Sequence, residues 1–137
     1  MSYNVESLRQ DLIRDEGLML MPYHCTANKL TIGVGRNIQD RGISRAEALY
    51  LLDNDIGDIA AWLDRDVPWW RTQSEARQRA MINMGMMGVA RLLEFKRMLA
   101  AWKAGDYETA AAEALNSKWA AQVGQRAHRV AALIRRG

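Results

Sequence analysis

The stretch 16–36, EGLMLMPYHCTANKLTIGVGR, constrains the fold most, because the spacing of apolar residues changes inside it. Before it, residues 3–15 carry apolar side chains at helical spacing, and Gly17 is a typical helix stop. Within it, Pro22 disfavours a helix, and apolar residues then alternate with polar or small ones. The pattern predicts a helix followed by a short β-hairpin, and hence a small β-lobe of about residues 17–43.

Three reactive side chains share this stretch: the carboxylate of Glu16, the thiol of Cys25 and the hydroxyl of Thr31. Eight residues separate the first pair and five the second. Glu16 falls in the last turn of the predicted helix, where the helix dipole disfavours an anion; if the residue also lies in a cleft, both effects suit a general acid. Gly33 and Gly35 could let the backbone approach a ligand. A single Glu is usually a solvated surface group and a single Cys a small buried one, but the combination indicates the wall of an active site.

The rest of the chain, from residue 44, has the spacing of helices. A capping box at Ser44–Glu47 predicts a long helix to about Leu63, and Thr72–Glu75 offers a second box. Trp69 and Trp70 are interpreted either as core anchors or as sugar-stacking rings. Further helices are predicted over 74–86, 91–104, 106–115 and 125–135, with a helical turn at 118–122. The predicted fold class is α+β, mostly α.

Composition excludes several classes of protein. The 137 residues suit one domain with its own core, and no apolar run approaches the ~18 residues of a membrane span. The N-terminus has scattered charges, so no secretory signal is expected, and a lone Cys excludes an internal disulfide. Net charge is +3, and residues 118–137 hold five Lys or Arg and no acid. This suits either a polyanionic partner or a plain solvated helix face.

The arrangement E-x8-C-x5-T, in the setting RDEG…Y…TIGVG, resembles that of the phage-type lysozymes, glycoside hydrolase family 24. The resemblance continues in AMINM at 80–84, in FKRML at 95–99 and in SKWAAQVGQRAHR at 117–129, and so covers most of the chain. It implies a lysozyme-like fold with an active-site cleft between the small β-lobe and a larger helical lobe, residues 1–16 and 44–137. It also implies one catalytic domain over 1–137, without a separate cell-wall-binding domain.

The same resemblance assigns roles to individual residues. Glu16 would be the general acid, and Arg126 would lie opposite it and orient it. Cys25 would take the place that most relatives give to Asp, and Thr31 would position a water molecule. Two routes stay open for Cys25: attack on the sugar carbon, with retention of configuration, or activation of water, with inversion.

Asn83 and Gln122 would be polar groups of the cleft, by the same resemblance. No metal or cofactor is predicted, because no His, Cys or carboxylate spacing suits zinc. The glycines at 33 and 35 do not continue as a dinucleotide loop, because residue 38 is Ile.

The implied substrate is bacterial peptidoglycan, cut between N-acetylmuramic acid and N-acetylglucosamine to release phage from its host. The expected partners are glycan strands and, through the basic C-terminal helix, lipopolysaccharide; a nucleic-acid partner is not predicted, and nothing demands more than a monomer. The protein would be made in the host cytoplasm and reach the periplasm through a holin. Two alternatives remain: a lytic transglycosylase, which needs no partner at 25 or 31, and membrane permeabilisation by the C-terminal helix.

Overall fold

The computed structural model describes residues 2–137, which divide into two compact units. One unit ends at Tyr50 and the other is Leu51–Gly137, and the boundary falls within a single long helix. The structure confirms the predicted α+β, mostly helical class. The first helix lies in the same unit as the strands, whereas the sequence assigned it to a helical lobe. The single catalytic domain and its cleft stay predictions.

In the first unit, helix α1 (Val5–Glu16) begins two residues later than predicted, because Asn4 caps it. The Asn4 side-chain oxygen accepts the backbone N–H of Ser7 at 2.9 Å. At the other end the N–H of Gly17 donates to Ile13 O at 2.8 Å, and Gly17 has φ +81°. Glu16 is therefore in the last turn of α1, as the sequence predicted, and the helix ends one residue later than predicted.

Three strands follow in residues 19–37, where the sequence predicted a two-stranded hairpin: β1 (Met19–His24), β2 (Leu30–Gly33) and β3 (Arg36–Asn37). They form an antiparallel sheet in the order β1-β2-β3. The register between β1 and β2 shifts in the segment that contains Pro22, which suits a β-bulge because proline has no N–H to donate. Helix α2 (Ile38–Arg41) closes this part, capped by Asn37.

Helix α3 (Arg45–Asp66) starts with the predicted capping box. The N–H of Ser44 donates to Glu47 Oε1 at 2.8 Å, and the N–H of Glu47 donates to Ser44 Oγ at 3.1 Å. The helix runs three residues beyond the predicted end. In its C-terminal half Ile59 and Leu63 are buried, because only there does α3 meet the hydrophobic core of the second unit.

The second predicted capping box, at Thr72–Glu75, is wrong. A 3₁₀ helix (Pro68–Thr72) occupies this segment, and the Thr72 hydroxyl donates to Trp69 O at 2.7 Å. Ser74 instead caps helix α4 (Glu75–Gly85), since its hydroxyl accepts the N–H of Arg77 at 3.3 Å. The remaining helices are α5 (Val89–Leu92), α6 (Lys96–Lys103), α7 (Tyr107–Leu115), α8 (Lys118–Val123) and α9 (Gln125–Arg136).

The core of the second unit forms around α9, which packs against α4, α7 and α8. Tryptophans and methionines fill much of it. Trp70 is buried, and its Nε1–H donates to Asp64 Oδ1 at 2.8 Å; Trp69 packs edge-on against Trp102 at 6.5 Å between ring centroids. Trp69 and Trp70 are therefore core anchors, not exposed sugar-stacking rings. Within residues 2–137, no helix is both long and apolar enough to cross a bilayer.

Candidate active site

Glu16 lies at the C-terminal end of α1, with its side chain exposed. Its carboxylate lies beside Gly35, in the turn between β2 and β3. A Cβ atom placed on Gly35 would be 2.7 Å from Glu16 Oε2 and 3.1 Å from Cδ. The Glu16 carboxylate therefore takes up space that a side chain at position 35 would need.

Cys25 follows β1 and is half-buried. Its backbone N–H donates to Lys29 O at 3.0 Å, and its carbonyl accepts the N–H of Asn28 at 2.8 Å, so the turn is closed around it. Hydrogen bonds lower the pKa of the Cys25 thiol below its ordinary value: the largest comes from the backbone of Lys29, the next from the Thr31 hydroxyl, and a third from the backbone of Ala27. The turn thus makes ionisation of Cys25 easier than in a free cysteine, and the thiolate is the nucleophilic form.

Thr31 lies on the central strand β2, opposite Tyr23 on one side and Asn37 on the other. It is buried, with 3% of its surface exposed, and its hydroxyl donates to Lys29 O at 2.8 Å. The hydroxyl has one proton to donate. It therefore acts on the Cys25 thiolate only when it turns from Lys29 O to the sulfur. The Thr31 hydroxyl is therefore a donor that the central strand holds beside the thiol.

The β1–β2 ladder connects these groups. Met19, three residues after Glu16, pairs with Gly33, and His24, next to Cys25, pairs with Leu30. The ladder from residue 30 to 33 spans about 10 Å along β2. Because β1 bulges within it, β1 uses six residues to cover a length that β2 covers with four. The bulge thus shortens the distance along the sheet between the end of β1 near Glu16 and the end near Cys25.

In the second unit, the structure brings Arg126 and Asn83 together. Arg126 donates from Nε to Asn83 Oδ1 at 2.8 Å and from Nη2 to Asn83 O at 3.0 Å. They line an open depression of about 420 Å³ whose other walls are mostly apolar, formed by Leu52, Ile56, Arg79, Ile82 and Met86. The two bonds fix the plane of the guanidinium group. Within Leu51–Gly137 its Nη1 has no hydrogen-bond partner, and the pairing of Arg126 with Glu16 stays a prediction.

Gln122 lies on α8 with its side chain exposed, and within Leu51–Gly137 it makes no side-chain hydrogen bond. Its predicted place among the cleft residues stays a prediction. In residues 2–137, no group of three His, Cys, Asp or Glu side chains is arranged to hold a metal ion.

Sequence reasoning missed the part that Lys29 plays at this site. Its backbone N–H acts on the thiol and its carbonyl binds Thr31. A backbone donor leaves no trace in residue type, so the only available signal was the turn at Thr26–Asn28, where Asn28 adopts φ +59°. The sequence did single out Gly35 for close backbone approach, although to a ligand and not to Glu16.

A model of the phage lysozyme family matches residues 14–137. This match over most of the chain shows that the chain belongs to the phage lysozyme family. The match includes every candidate site residue named above.

Three named relatives are similar to the chain. The first, the pre-baseplate central spike protein Gp5 of Enterobacteria phage T4, is 31% identical over 96% of this chain and 28% of its own length. The SAR-endolysin of Escherichia phage Mu is 35% identical over 74% of this chain and 60% of its own length. The endolysin of Acyrthosiphon pisum secondary endosymbiont phage 1 is 33% identical over 77% and 72%. The chain therefore spans less than two thirds of the first two relatives.

Proposed function

We propose that this protein is a lysozyme that acts as a phage endolysin. It hydrolyses the β-1,4 bond between N-acetylmuramic acid and N-acetylglucosamine in bacterial peptidoglycan. The observation that supports this most is geometric: Cys25 and Thr31 lie at one end of the β1–β2 ladder, and the turn after β2 brings Gly35 beside Glu16. Membership of the phage lysozyme family and likeness to two endolysins support the substrate.

In this proposal Glu16 is the general acid. Its carboxyl proton passes to the glycosidic oxygen as the bond from that oxygen to C1 of the muramic acid residue breaks. The N-acetylglucosamine side then leaves as an alcohol. Arg126, oriented by Asn83, pairs with the carboxylate that remains.

Cys25 completes the reaction by one of two routes. As a nucleophile, its Sγ attacks C1 and forms a thioglycoside; the Glu16 carboxylate then takes a proton from water, which attacks C1 and expels the thiolate. As a base, the thiolate takes a proton from a water molecule held by Thr31, and that water attacks C1 directly. The first route retains the β configuration at C1 and the second inverts it. NMR of the newly formed reducing end distinguishes the two.

The experiment that tests the proposal is turbidity loss of chloroform-permeabilised Gram-negative cells, with wild type compared with Glu16→Gln. Glu6→Gln is the matched control, because Glu6 is an exposed glutamate of the same helix. Wild type and the control should clear the cells, and Glu16→Gln should not. Equal clearing by Glu16→Gln would contradict the role of Glu16.

A lytic transglycosylase is the nearest alternative chemistry on the same substrate. It uses the muramic acid C6 hydroxyl in place of water and needs no group at Cys25 or Thr31. The donors around the thiol would then serve no purpose, which favours hydrolysis. Mass spectrometry of the released muropeptides decides: 1,6-anhydro ends would establish transglycosylation, and free reducing ends hydrolysis.

Membrane permeabilisation by α9 is less well supported than enzymatic lysis. The apolar side of this helix is buried in the core of the second unit, through Ala127, Val130, Ala131 and Ile134. An amphipathic helix needs that side free to enter a bilayer. The exposed Arg129 and Arg136 still suit contact with anionic lipopolysaccharide as an accessory to catalysis. We propose that the protein acts as a monomer, made in the host cytoplasm and passed to the periplasm by a holin.

The likeness to Gp5 favours a second candidate function, in which the same lysozyme activity belongs to a phage particle. Almost the whole chain, 96%, aligns with that central spike protein. Proteomics of purified particles separates the two settings. Peptides of this chain in the particle would support a spike component, and their restriction to the soluble lysate would support an endolysin.

A further inference from the structure

The contact between Glu16 and Gly35 is closer than any residue with a side chain would allow. A Cβ on Gly35 would lie 2.7 Å from Oε2, 3.1 Å from Cδ and 3.4 Å from Cγ of Glu16. Ordinary contacts between heavy atoms begin near 3.4 Å. The carboxyl group therefore occupies the space that a side chain at position 35 would take, with Oε2 nearest to the backbone.

Gly35 differs from Gly33 in what a side chain would meet there, not in the sign of φ. Gly35 has φ +67°, a left-handed conformation that favours glycine, and Gly33 has a very similar φ of +71°. Around Gly33, however, a Cβ would meet nothing within 4 Å. Both positions therefore favour glycine through a left-handed φ, and of the two, Gly35 is the one where an added Cβ would meet another residue.

Few other interactions restrain the Glu16 side chain. It is exposed, and among residues 2–50 no hydrogen bond or ion pair involves its carboxylate. The neighbouring cation, Arg14, pairs with Asp11 and Asp15 instead. Contact with the Gly35 backbone is thus the specific restraint that this unit places on the carboxyl group.

We propose that Gly35 is a positioning residue for Glu16, and this inference rests on the proposed role of Glu16 as the general acid. Because Gly35 has no side chain, the turn after β2 leaves space for the Glu16 carboxyl group. Of the carboxyl atoms, Oε2 would lie nearest to a Cβ at position 35. A methyl group at position 35 pushes the carboxyl group back by about 0.7 Å to restore ordinary contact. Displacement of a catalytic group by about 1 Å lowers the rate on the order of 10²-fold.

The experiment compares Gly35→Ala with Gly33→Ala, which acts as the matched control for backbone strain. Both variants should lose similar thermal stability, because the end of the Glu16 side chain yields easily whereas the positive φ is strained in both. On soluble peptidoglycan fragments, Gly35→Ala should lower kcat about 10²-fold with KM unchanged within about twofold. Gly33→Ala should retain most of its kcat. Equal kcat values for the two variants would overturn the proposal.

Crystal structures of the two variants give a readout independent of activity. The Glu16 carboxyl carbon should move in Gly35→Ala and stay in Gly33→Ala; an unmoved carboxyl group in Gly35→Ala would overturn the proposal. If the alanine variants do not fold, Gly35→Asn and Gly33→Asn replace them. Asparagine tolerates left-handed backbone, as Asn28 does here, but still adds a Cβ. If Glu16→Gln is as active as wild type, the proposed function of Glu16 fails, whatever the structures of the glycine variants give.

Discussion

Arg36 grips the carboxylate of Glu47 with both terminal nitrogens of its guanidinium group, at 3.1 Å and 2.6 Å. The same Arg36 Nη1 donates to Gly42 O at 3.1 Å, and Glu47 also accepts the N–H of Ser44. One bidentate pair therefore ties strand β3, the turn after α2 and the start of α3 together within the first unit. These contacts were outside the reach of the capping-box pattern, which predicted only the Ser44–Glu47 part.

This pair makes the stability of the protein sensitive to acid. The Arg36 guanidinium first, and then Ser44, lower the pKa of Glu47 from 4.5 to about 2. A group whose pKa is lowered by folding adds stability above its unfolded pKa and loses it as the pH falls through the folded one. We expect the melting temperature to fall between about pH 4.5 and pH 2, and to fall less steeply in Glu47→Gln. Parallel curves for wild type and Glu47→Gln, measured by circular dichroism, would contradict this.

Replacing Cys25 should separate a chemical role from a packing role. Cys25→Ser should abolish activity, because a serine hydroxyl stays protonated where the thiol ionises. Cys25→Asp should keep much of it, because a carboxylate is ionised and accepts from the same donors. The measurement is release of reducing ends from purified peptidoglycan, with folding checked by circular dichroism. If Cys25→Ala is as active as wild type, Cys25 only packs.

The bond between Asn83 and Arg126 should matter for rate more than for folding. Asn83→Ala removes the acceptor of Arg126 Nε at 2.8 Å but leaves the backbone acceptor of Nη2. A hydrogen bond to a charged group is worth about 1.5–3 kcal/mol, so freeing the guanidinium should lower kcat about tenfold or more. Asn54→Ala, at an exposed position of α3, is the control. Unchanged kcat in Asn83→Ala would remove Asn83 from the site.

Arg77 should be the arginine on α4 whose loss most destabilises the protein. Its guanidinium donates to Ile134 O at 2.7 Å and Arg135 O at 3.1 Å, at the C-terminal end of α9, and stacks on Tyr107. Charge-assisted bonds to the end of a helix and a cation–π contact together predict a loss of about 2–3 kcal/mol in Arg77→Ala. Arg79 makes an exposed ion pair with Glu75 on the same helix, so Arg79→Ala should lower the free energy of unfolding by about 0.5 kcal/mol.

Urea unfolding of the two variants measures this difference. Arg79→Ala serves as the internal comparison, because it removes the same side chain from the same helix. Similar unfolding midpoints for the two variants would mean that Arg77 does not hold the end of α9.

The parts of this structure that sequence predicts are those that depend on near neighbours in the chain. The cap at Ser44, the stop at Gly17 and the turn at Asn28 follow from residue type and spacing. Strand β3 was missed because two residues carry no periodic signal, and the box at Thr72 failed because Pro68 starts a 3₁₀ helix that uses the threonine hydroxyl. Predictions from local residue types were therefore correct where no other local element used the same side chains.

The candidate site divides in the same way. Glu16, Cys25 and Thr31 could be predicted as site residues because they lie within sixteen residues and match a family pattern. The contact between Glu16 and Gly35 depends on the backbone geometry of the turn after β2, which residue types do not reveal. The largest donor to Cys25 is the backbone of Lys29, which residue types do not reveal either. Asn83 and Arg126 lie 43 residues apart in the chain, so their bond required the packing of α4 against α9.

Cys25 is the single thiol of the chain, and its surroundings favour the reactive form. A thiol-specific alkylating reagent therefore labels one position in each molecule, and it reacts with the thiolate form. The extent of labelling counts the molecules whose Cys25 thiol is free. Labelling of Cys25 therefore measures the concentration of candidate sites with a free thiol before any substrate is added.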